Sequence, residues 1–271
     1  MKVTVLTENT SKNALEAEHG LSLWIEFQGK QYLLDAGSSE LFLKNAKILW
    51  IPLQDADACI LSHGHYDHSG GFEVYLEENV ECSVYAMNNF DGEYYSASGG
   101  IHYIGVPKGL LEKYRDRFVR IHDVTKIAEH TYLVPHSTDG LEKIGEKTKL
   151  YVKKGEEMVA DDFSHELSLV FDTEKGMVIF NSCSHGGMRN IINEVKKVLP
   201  NKKIYAFLGG LHMKGGNFSE EEIKELAEFL RREGVQYLYT GHCTGEAAME
   251  LLKKYAGDKV QVLYTGSTIM L

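Results

Sequence analysis

Cysteine, basic charge and long apolar runs are all scarce in this chain, and each shortage excludes a class of protein. Four cysteines among 271 residues, with no Cys-x-x-Cys pair, are too few for a disulfide framework. No apolar run approaches the roughly 18 residues that a membrane-spanning helix needs. The first ten residues, MKVTVLTENT, lack the apolar stretch and cleavage site of a signal peptide, so we expect a cytoplasmic protein.

The charge balance restricts the partners. Lysine and arginine number 29 against 39 aspartates and glutamates, which gives a formal net charge of −10. An acidic chain of this kind is a poor match for nucleic acid or an anionic membrane, so we expect neither as a partner. An apolar content of 43% and a charged content of 25% are ordinary for a globular protein with a sizeable core.

Strand-like and helix-like patterns alternate along the sequence and predict an α/β fold with mixed sheets between helix layers. KVTVLT is typical of a strand, and GMRNIINEVKKVL is typical of an amphipathic helix. Ser219 followed by Glu222 predicts a capping box at the start of another helix. Residues from about 90 to 150 are the least regular, and we expect loops and short strands around a pocket there. We expect a single domain over residues 1–271.

Three histidines and an aspartate lie within six residues, directly after the apolar run ADACIL. His63, His65, Asp67 and His68 form the pattern H-x-H-x-D-H, and Gly64 favours a loop over a helix. Histidines two residues apart can converge on one ion, while Asp67 and His68 point toward a neighbouring ion. A single loop histidine is usually just solvated, but four such side chains at this spacing indicate first-row metal binding. Two ions about 3.5–4 Å apart would share and activate a water.

Four donors on one loop cannot complete two metal sites, so other segments must contribute. Three further histidines each follow a predicted strand among small residues: His185, His212 and His242. The carboxyl ends of strands are where α/β sheets build ligand sites.

Other histidines have more than one interpretation. His165 would face Cys183 across a hairpin centred near Glu174, but a strand histidine beside Glu166 is equally consistent. His19 would reach the same pocket, or else act as a structural cap. Cys59 is expected to be a buried small hydrophobe. The histidines without such context are expected at the surface or a pocket rim: His102, His122, His130 and His136.

The motif residues resemble a known family. LSHGHYDHSGG resembles the signature of the metallo-β-lactamase superfamily, and LLDAG, with Asp35, resembles its first motif. Further stretches resemble the branch named for dihydropterin–ribofuranosyl-aminobenzene phosphate synthase: EHGLSLWIE, SCSHGGMRNII, LGGLHM and TGHCTG. The resemblance runs from residue 3 to about residue 245.

This resemblance implies a four-layer αββα sandwich of the metallo-β-lactamase type, with a metal site at one edge of its mixed sheets. The implied cofactor is one or two divalent ions, zinc ahead of iron or manganese. The first ion would be held by His63, His65 and His185, and the second by Asp67, His68 and His242. Asp35 would support the metal loop from behind.

Position 183 departs from the superfamily pattern. Cys183 stands where many members carry a bridging aspartate. Either its thiolate ligates a metal and softens the site toward zinc or iron, or the position is inert and the second ion binds weakly. We slightly favour an inert Cys183 and a weakly bound second ion.

The function implied is a metal-dependent hydrolase or synthase acting on a small anionic, phosphorylated substrate. Asp67 would be both ligand and proton acceptor, and His212 would be an acid or a substrate contact. The alternative is a non-catalytic or redox-associated metal-binding module, since some superfamily members carry electrons through iron. We expect the protein to have neither the appended flavodoxin domain of those members nor the large extra domain of nucleic-acid-processing members.

Overall fold

The computed structural model describes residues 1–12, 14–136, 138–216 and 218–271. The strands, in chain order, are β1 (Lys2–Thr7), β2 (Ser22–Phe27), β3 (Lys30–Leu34), β4 (Ala58–Ile60), β5 (Val84–Met87), β6 (Glu93–Ser96), β7 (His102–Tyr103), β8 (Phe118–Ile121), β9 (Thr125–Ala128), β10 (Thr131–Pro135), β11 (Leu150–Lys154), β12 (Glu157–Ala160), β13 (Leu167–Thr173), β14 (Gly176–Phe180), β15 (Ile204–Leu208), β16 (Tyr237–Thr240), β17 (Val260–Val262) and β18 (Thr268–Met270).

The helices, in chain order, are α1 (Leu41–Ile48), α2 (Tyr66–Ser69), α3 (Phe72–Glu78), α4 (Lys108–Tyr114), α5 (Glu142–Thr148), α6 (Met188–Val198), α7 (Glu220–Arg232) and α8 (Glu246–Ala256). The predicted α/β class with mixed sheets is confirmed. The predicted capping box of α7 is also confirmed, because Ser219 and Glu222 exchange side-chain and backbone hydrogen bonds. No helix within the described ranges is long and apolar enough to cross a membrane.

The chain divides into two compact units. The first comprises residues 1–122, 149–161 and 264–271, and the second comprises residues 123–148 and 162–263. The prediction of a single domain over the whole chain stays a prediction.

The first unit contains a seven-stranded mixed sheet in the order β18-β1-β2-β3-β4-β5-β8, antiparallel up to β3 and parallel from β3 to β8. Apolar residues of α1 and α3, such as Phe42 and Phe72, belong to its core. Because β3 and β4 are parallel, with Leu34 beside Ile60, their carboxyl ends emerge side by side. That edge carries Asp35 and the H-x-H-x-D-H motif. A four-stranded sheet, β12-β11-β6-β7, completes this unit.

The second unit contains a seven-stranded sheet in the order β17-β16-β15-β14-β13-β10-β9. Strands β14 to β17 are parallel, whereas β13, β10 and β9 continue the sheet antiparallel. Helices α6, α7 and α8 contribute buried apolar residues to its core. The carboxyl ends of β14, β15 and β16 therefore share one edge, and the predicted donors after these strands meet there.

The irregular region holds more helix than the sequence indicates. Residues 90–150 contain the expected short strands, but also α4 and α5. Helix α5 has the sequence EKIGEKT, so Ile144 is its one apolar side chain and Gly145 lowers its helix propensity. The C-terminal strand β18 is short, and two of its three residues are exposed.

Candidate metal centre

The H-x-H-x-D-H motif is buried at the carboxyl end of β4. The relative exposures of His63, His65, Asp67 and His68 are 0%, 5%, 8% and 0%. The ring centroid of His63 lies 4.6 Å from that of His65 and 4.2 Å from that of His68. A Cβ at Gly64 would lie 2.1 Å from the carbonyl oxygen of Phe90, so the motif needs glycine there. The four side chains are thus packed into one small volume of the first unit.

The expectation that the whole motif is a loop is partly wrong. His63 and His65 precede a helical turn, but Asp67 and His68 lie within α2. His65 has extended backbone angles at the start of that turn, and the Ser69 hydroxyl donates to its carbonyl oxygen. Gly70 itself adopts helical angles, so this glycine does not interrupt the turn.

Asp35 holds the motif from behind. Its fully buried carboxylate accepts the Ser62 backbone N–H and hydroxyl, both at 2.7 Å, and contacts His68 Nδ1 at 2.8 Å. Because an ionised carboxylate can only accept, this contact assigns the proton of His68 to Nδ1 and leaves Nε2 as an electron-pair donor. The arrangement suits a histidine that binds a metal through Nε2.

His19 lies beside the motif in the same unit. Its Nε2 is 3.3 Å from Asp67 Oδ2, and its Nδ1 is 3.3 Å from the side-chain amide of Asn9. Asp67 Oδ2 is also 3.7 Å from His68 Nε2. Asp67 is therefore bracketed by two imidazoles, and His19, which is about half exposed, connects it to solvent.

The second unit gathers another set of donors where β14, β15 and β16 end. The rings of His185 and His212 lie 4.2 Å apart between centroids. His185, Cys183 and His242 are buried. His212 and His242 have φ angles of +49° and +50°, which are uncommon for residues other than glycine. Such conformations cluster at functional sites, where the surrounding structure holds them in place.

Cysteine is part of this second set. The ligand atoms of Cys183, His212 and Cys243 lie within 4.8 Å of one another. The Cys243 sulfur also accepts the backbone N–H of His212 at 3.3 Å. Burial opposes ionisation of Cys243, but a hydrogen bond from Cys183 and the proximity of His242 and His212 hold the pKa of its thiol well below the usual value. In the sequence both cysteines lie beside a histidine, in the stretches CSH and GHC, but only Cys183 was predicted as a possible ligand.

A buried carboxylate, named above only as the neighbour of His165, supports the His185 loop. Glu166 accepts the backbone N–H groups of His185 and Gly186 at 2.9 and 3.1 Å and contacts His136 Nε2 at 2.9 Å. Burial alone would raise its pKa, but the charge and hydrogen bond of His136 and the two amides hold the pKa of Glu166 below its usual value.

The expectation that His136 lies at the surface or a pocket rim is wrong, because its side chain is 2% exposed. It follows β10 and is drawn inward by Glu166 and Asn181. Of the other three, His102 and His122 are exposed, and His130 is partly exposed, with 42% of its side chain accessible. Cys59 is fully buried, as expected.

His165 is fully buried and lies in a turn before β13, so the interpretation of it as a strand histidine is wrong. The Phe163 ring stacks on His185 with 5.1 Å between centroids and lies 6.4 Å from the His165 ring. His165 thus lies near the His185 loop, and its part in metal binding stays a prediction.

Both sets of donors fit a transition metal. They combine imidazoles, a carboxylate and thiols, which are the ligands that zinc and other first-row transition metals prefer. Within the described part of the chain, the buried Nδ1 of His212 has no hydrogen-bond partner, as expected of a nitrogen that a ligand would satisfy. The chain therefore holds His, Cys and Asp groups that could bind a metal. Their assignment to one or two particular ions stays a prediction.

Comparisons with known proteins agree with these observations. The family profile described as the metallo-β-lactamase superfamily matches residues 15–93. A protein of Methanocaldococcus jannaschii, named 7,8-dihydropterin-6-methyl-4-(β-D-ribofuranosyl)-aminobenzene-5′-phosphate synthase, is 30% identical over 267 residues, covering 93% of this chain and 90% of the relative.

Solved structures agree on the fold. The crystal structure of Tm1679, described as a metal-dependent hydrolase of the β-lactamase superfamily, superposes with a TM-score of 0.85 at 28% identity, covering 100% of this chain and 99% of the other. A crystal structure described as a new diphosphatase from the PhnP family has a TM-score of 0.56 at 14% identity, covering 100% of this chain and 97% of the other, which shows similarity of fold alone. The predicted metallo-β-lactamase type of fold is confirmed.

Proposed function

Because the chain belongs to the metallo-β-lactamase superfamily, we propose that it is a zinc-dependent enzyme that transforms a small anionic, phosphorylated substrate. The observation that carries the proposal is the buried cluster of His63, His65, Asp67 and His68, with Asp35 fixing the His68 ring. Burying so many polar side chains is unfavourable unless hydrogen bonds or a bound ligand satisfy them, and Asp35 supplies such a contact to His68. A divalent ion is the ligand that best matches this set of donors.

The substrate class is supported by the M. jannaschii relative, whose name contains a phosphorylated ribofuranosyl-aminobenzene and a dihydropterin. At 30% identity over nearly the whole chain, we propose a synthase-like reaction on a related phosphorylated compound, with ester hydrolysis as the competing reaction. We also propose a cytoplasmic location, and the net charge of −10 supports a small-molecule substrate over nucleic acid or an anionic membrane as partner.

The chain's own residues would divide the work. His63, His65 and His185 would hold one ion, and Asp67, His68 and His242 would hold a second, a division that rests on the family resemblance. A bound ion would supply Lewis-acid polarisation of a substrate oxygen. Asp67 would accept a proton at Oδ2, where His19 Nε2 lies at 3.3 Å and can stabilise or relay that proton. Asp35 would keep the His68 Nδ1 proton in place throughout.

The experiment compares wild type with His63→Ala and, as a matched control, His102→Ala, which alters an exposed histidine of the same unit. Metal content after reconstitution and turnover of phosphoesters, lactones, thioesters and a dihydropterin with a ribose-phosphate aminobenzene would be measured. We expect His63→Ala to lose metal and at least about 100-fold of the activity. His102→Ala should match wild type.

Two outcomes would contradict the proposal. Activity unchanged in His63→Ala would mean that the loop does not hold the catalytic metal. Stoichiometric metal in the wild type without turnover of any of these compounds would favour the alternative, a non-catalytic or redox-associated metal-binding module.

A further inference from the structure

We propose that Cys183, His212 and Cys243 form a thiolate–imidazole site for a soft or borderline-soft metal ion, such as Zn²⁺, within the second unit. The proposed function needs neither Cys243 nor a metal bond to His212. In this site His212 would bind the metal, whereas from the sequence we expected it to act as an acid or to contact the substrate.

The topology brings the three donors together. They follow β14, β15 and β16, which are parallel neighbours, so their carboxyl ends meet at one edge of the sheet. The three ligand atoms lie within 4.8 Å of one another. In a tetrahedral zinc site, sulfur and nitrogen donors at about 2.3 and 2.0–2.1 Å from the ion are about 3.6–3.8 Å apart. A small inward movement of these side chains would therefore close such a site, and a fourth position would remain for an exchangeable ligand.

The chemistry of the three groups fits a cation. Both cysteines are buried and neither is in a disulfide. The backbone N–H of His212 points at the Cys243 sulfur at 3.3 Å, a contact that favours negative charge on that sulfur. The Nδ1 atom of His212 is buried and has no hydrogen-bond partner within the described residues. Burying an imidazole nitrogen without a hydrogen-bond partner costs free energy. A metal ion at this cluster would bind the His212 ring as one of its ligands.

The backbone is shaped around these donors. A Cβ at Gly210 would lie 2.3 Å from the Cys243 sulfur, so the absence of a side chain at position 210 leaves the space that the sulfur occupies. His212, two residues later, has a φ of +49°, which turns the chain back toward the same sulfur. The amide that contacts the sulfur and the ring that completes the cluster belong to this one residue.

The other two cysteines show what a buried thiol pair looks like without a metal site. In the first unit, the Cys59 sulfur contacts the Tyr75 hydroxyl at 3.3 Å. The Arg117 guanidinium lies close enough to donate to the Cys82 carbonyl oxygen at 3.0 Å. A fixed cation nearby disfavours a second cation, and no metal-ligating cluster of the described residues contains Cys59 or Cys82. Cys82 therefore provides a matched control thiol.

The first test uses Co²⁺ as the probe in the full chain, because thiolate–cobalt bonds give near-ultraviolet charge-transfer absorption that imidazole and carboxylate bonds lack. We expect this absorption in the wild type and a loss of about half in Cys183→Ser and in Cys243→Ser, since each removes one of two thiolates. His212→Gln should keep the charge-transfer band but shift the visible cobalt bands. Cys82→Ser and His63→Ala should leave the charge-transfer intensity unchanged.

The variants separate this proposal from the proposed function. Full charge-transfer intensity in Cys243→Ser, or loss of it in Cys82→Ser, would overturn the site. Loss of the charge-transfer absorption in His63→Ala would also overturn the site. The thiolates would then bind a metal that depends on the H-x-H-x-D-H motif. Absence of turnover in a wild type that still shows the two-thiolate signature would refute the enzymatic function alone.

A second measurement does not depend on the folding of any variant. The wild type would be alkylated with iodoacetamide in mild denaturant, with and without Zn²⁺, and the modified peptides identified by mass spectrometry. We expect Zn²⁺ to slow modification of Cys183 and Cys243 at least about 10-fold and to leave Cys82 unaffected. Equal protection of all four cysteines, or of none, would contradict the proposal.

Discussion

In each unit a fully buried carboxylate holds the candidate metal ligands in position. The carboxylate of the first unit contacts mainly side chains, whereas that of the second unit contacts mainly backbone amides. Asp35 contacts side chains of the motif, the Ser62 hydroxyl and the His68 ring, as well as one backbone amide. Glu166 contacts two consecutive backbone amides, those of His185 and Gly186, and the ring of His136. Both carboxylates are 0% exposed.

The difference shows two ways of positioning a metal ligand. Asp35 fixes the orientation and the proton of a candidate ligand ring directly, so it affects the affinity of that ring for a cation. Glu166 fixes the backbone from which the His185 ring projects and leaves the ring to its neighbours, Phe163 and His212. Loss of Asp35 should therefore act mainly on metal binding, whereas loss of Glu166 should act mainly on the stability of the second unit.

The largest expected effect is that of Glu166→Ala on stability. The substitution leaves two buried amides and the His136 ring without their acceptor, and it leaves a cavity. Each buried donor left without its acceptor costs about 1–3 kcal/mol, so the loss of all three contacts costs about 3–5 kcal/mol. We expect the free energy of unfolding, measured by urea titration of the metal-free protein, to fall by that amount.

The matched control for this variant is Glu228→Ala, an exposed glutamate of α7. A surface substitution of this kind should change the free energy of unfolding by less than about 0.5 kcal/mol. A fall of less than about 1 kcal/mol in Glu166→Ala would mean that solvent replaces the lost acceptor. The contrast between the two buried carboxylates would then disappear.

A smaller effect is expected for Asp35→Asn, and on a different quantity. The amide keeps the shape of the carboxylate but removes the charge that holds the Nδ1 proton of His68. Substitutions of such supporting groups typically weaken metal affinity about 10–100-fold. Competition with a chelator should show this loss for zinc.

The comparison is sharpened by Glu166→Gln, measured in the same competition. We expect its affinity for the metal of the loop to change less than about 3-fold, since Glu166 acts on the backbone of the His185 loop and on the His136 ring. Equal losses in the two variants would show that both carboxylates tune the same metal, contrary to the division of roles.

Much of the fold was accessible from local pattern. The capping-box residues Ser219 and Glu222 predict the start of helix α7. The turn DTEKG between two apolar runs predicts the hairpin of β13 and β14. Helix α5 was missed because a helix with a single apolar side chain has no periodic pattern to detect. Its position depends on tertiary contacts that the sequence does not display.

The candidate site divides in the same way. The motif of the first unit is legible because its four donors lie within six consecutive residues, and Asp35 lies directly after β3 in a recognisable stretch. The contact between Glu166 and His136 depends instead on the register of β10 and β13, in which Pro135 pairs with Leu167. His136 follows Pro135 and Glu166 precedes Leu167, so this pairing brings the two side chains together at the end of the strand pair. Residues 30 positions apart carry no local signal of such a pairing.

The smallest expected effect compares two buried serines, each adjacent to a candidate donor. The Ser62 hydroxyl donates to Asp35 at 2.7 Å and contacts His63 Nδ1 at 2.8 Å, whereas the buried Ser184 hydroxyl has no partner within the described residues. Ser62→Ala should therefore lower the free energy of unfolding by about 1–2 kcal/mol, because it removes a hydrogen bond to a buried carboxylate. Ser184→Ala should change it by less than about 0.5 kcal/mol or raise it, because it removes only an unsatisfied hydroxyl. Equal losses in the two variants would show that the Ser184 hydroxyl is bonded in solution, and that the second unit fixes its loop through side chains as the first unit does.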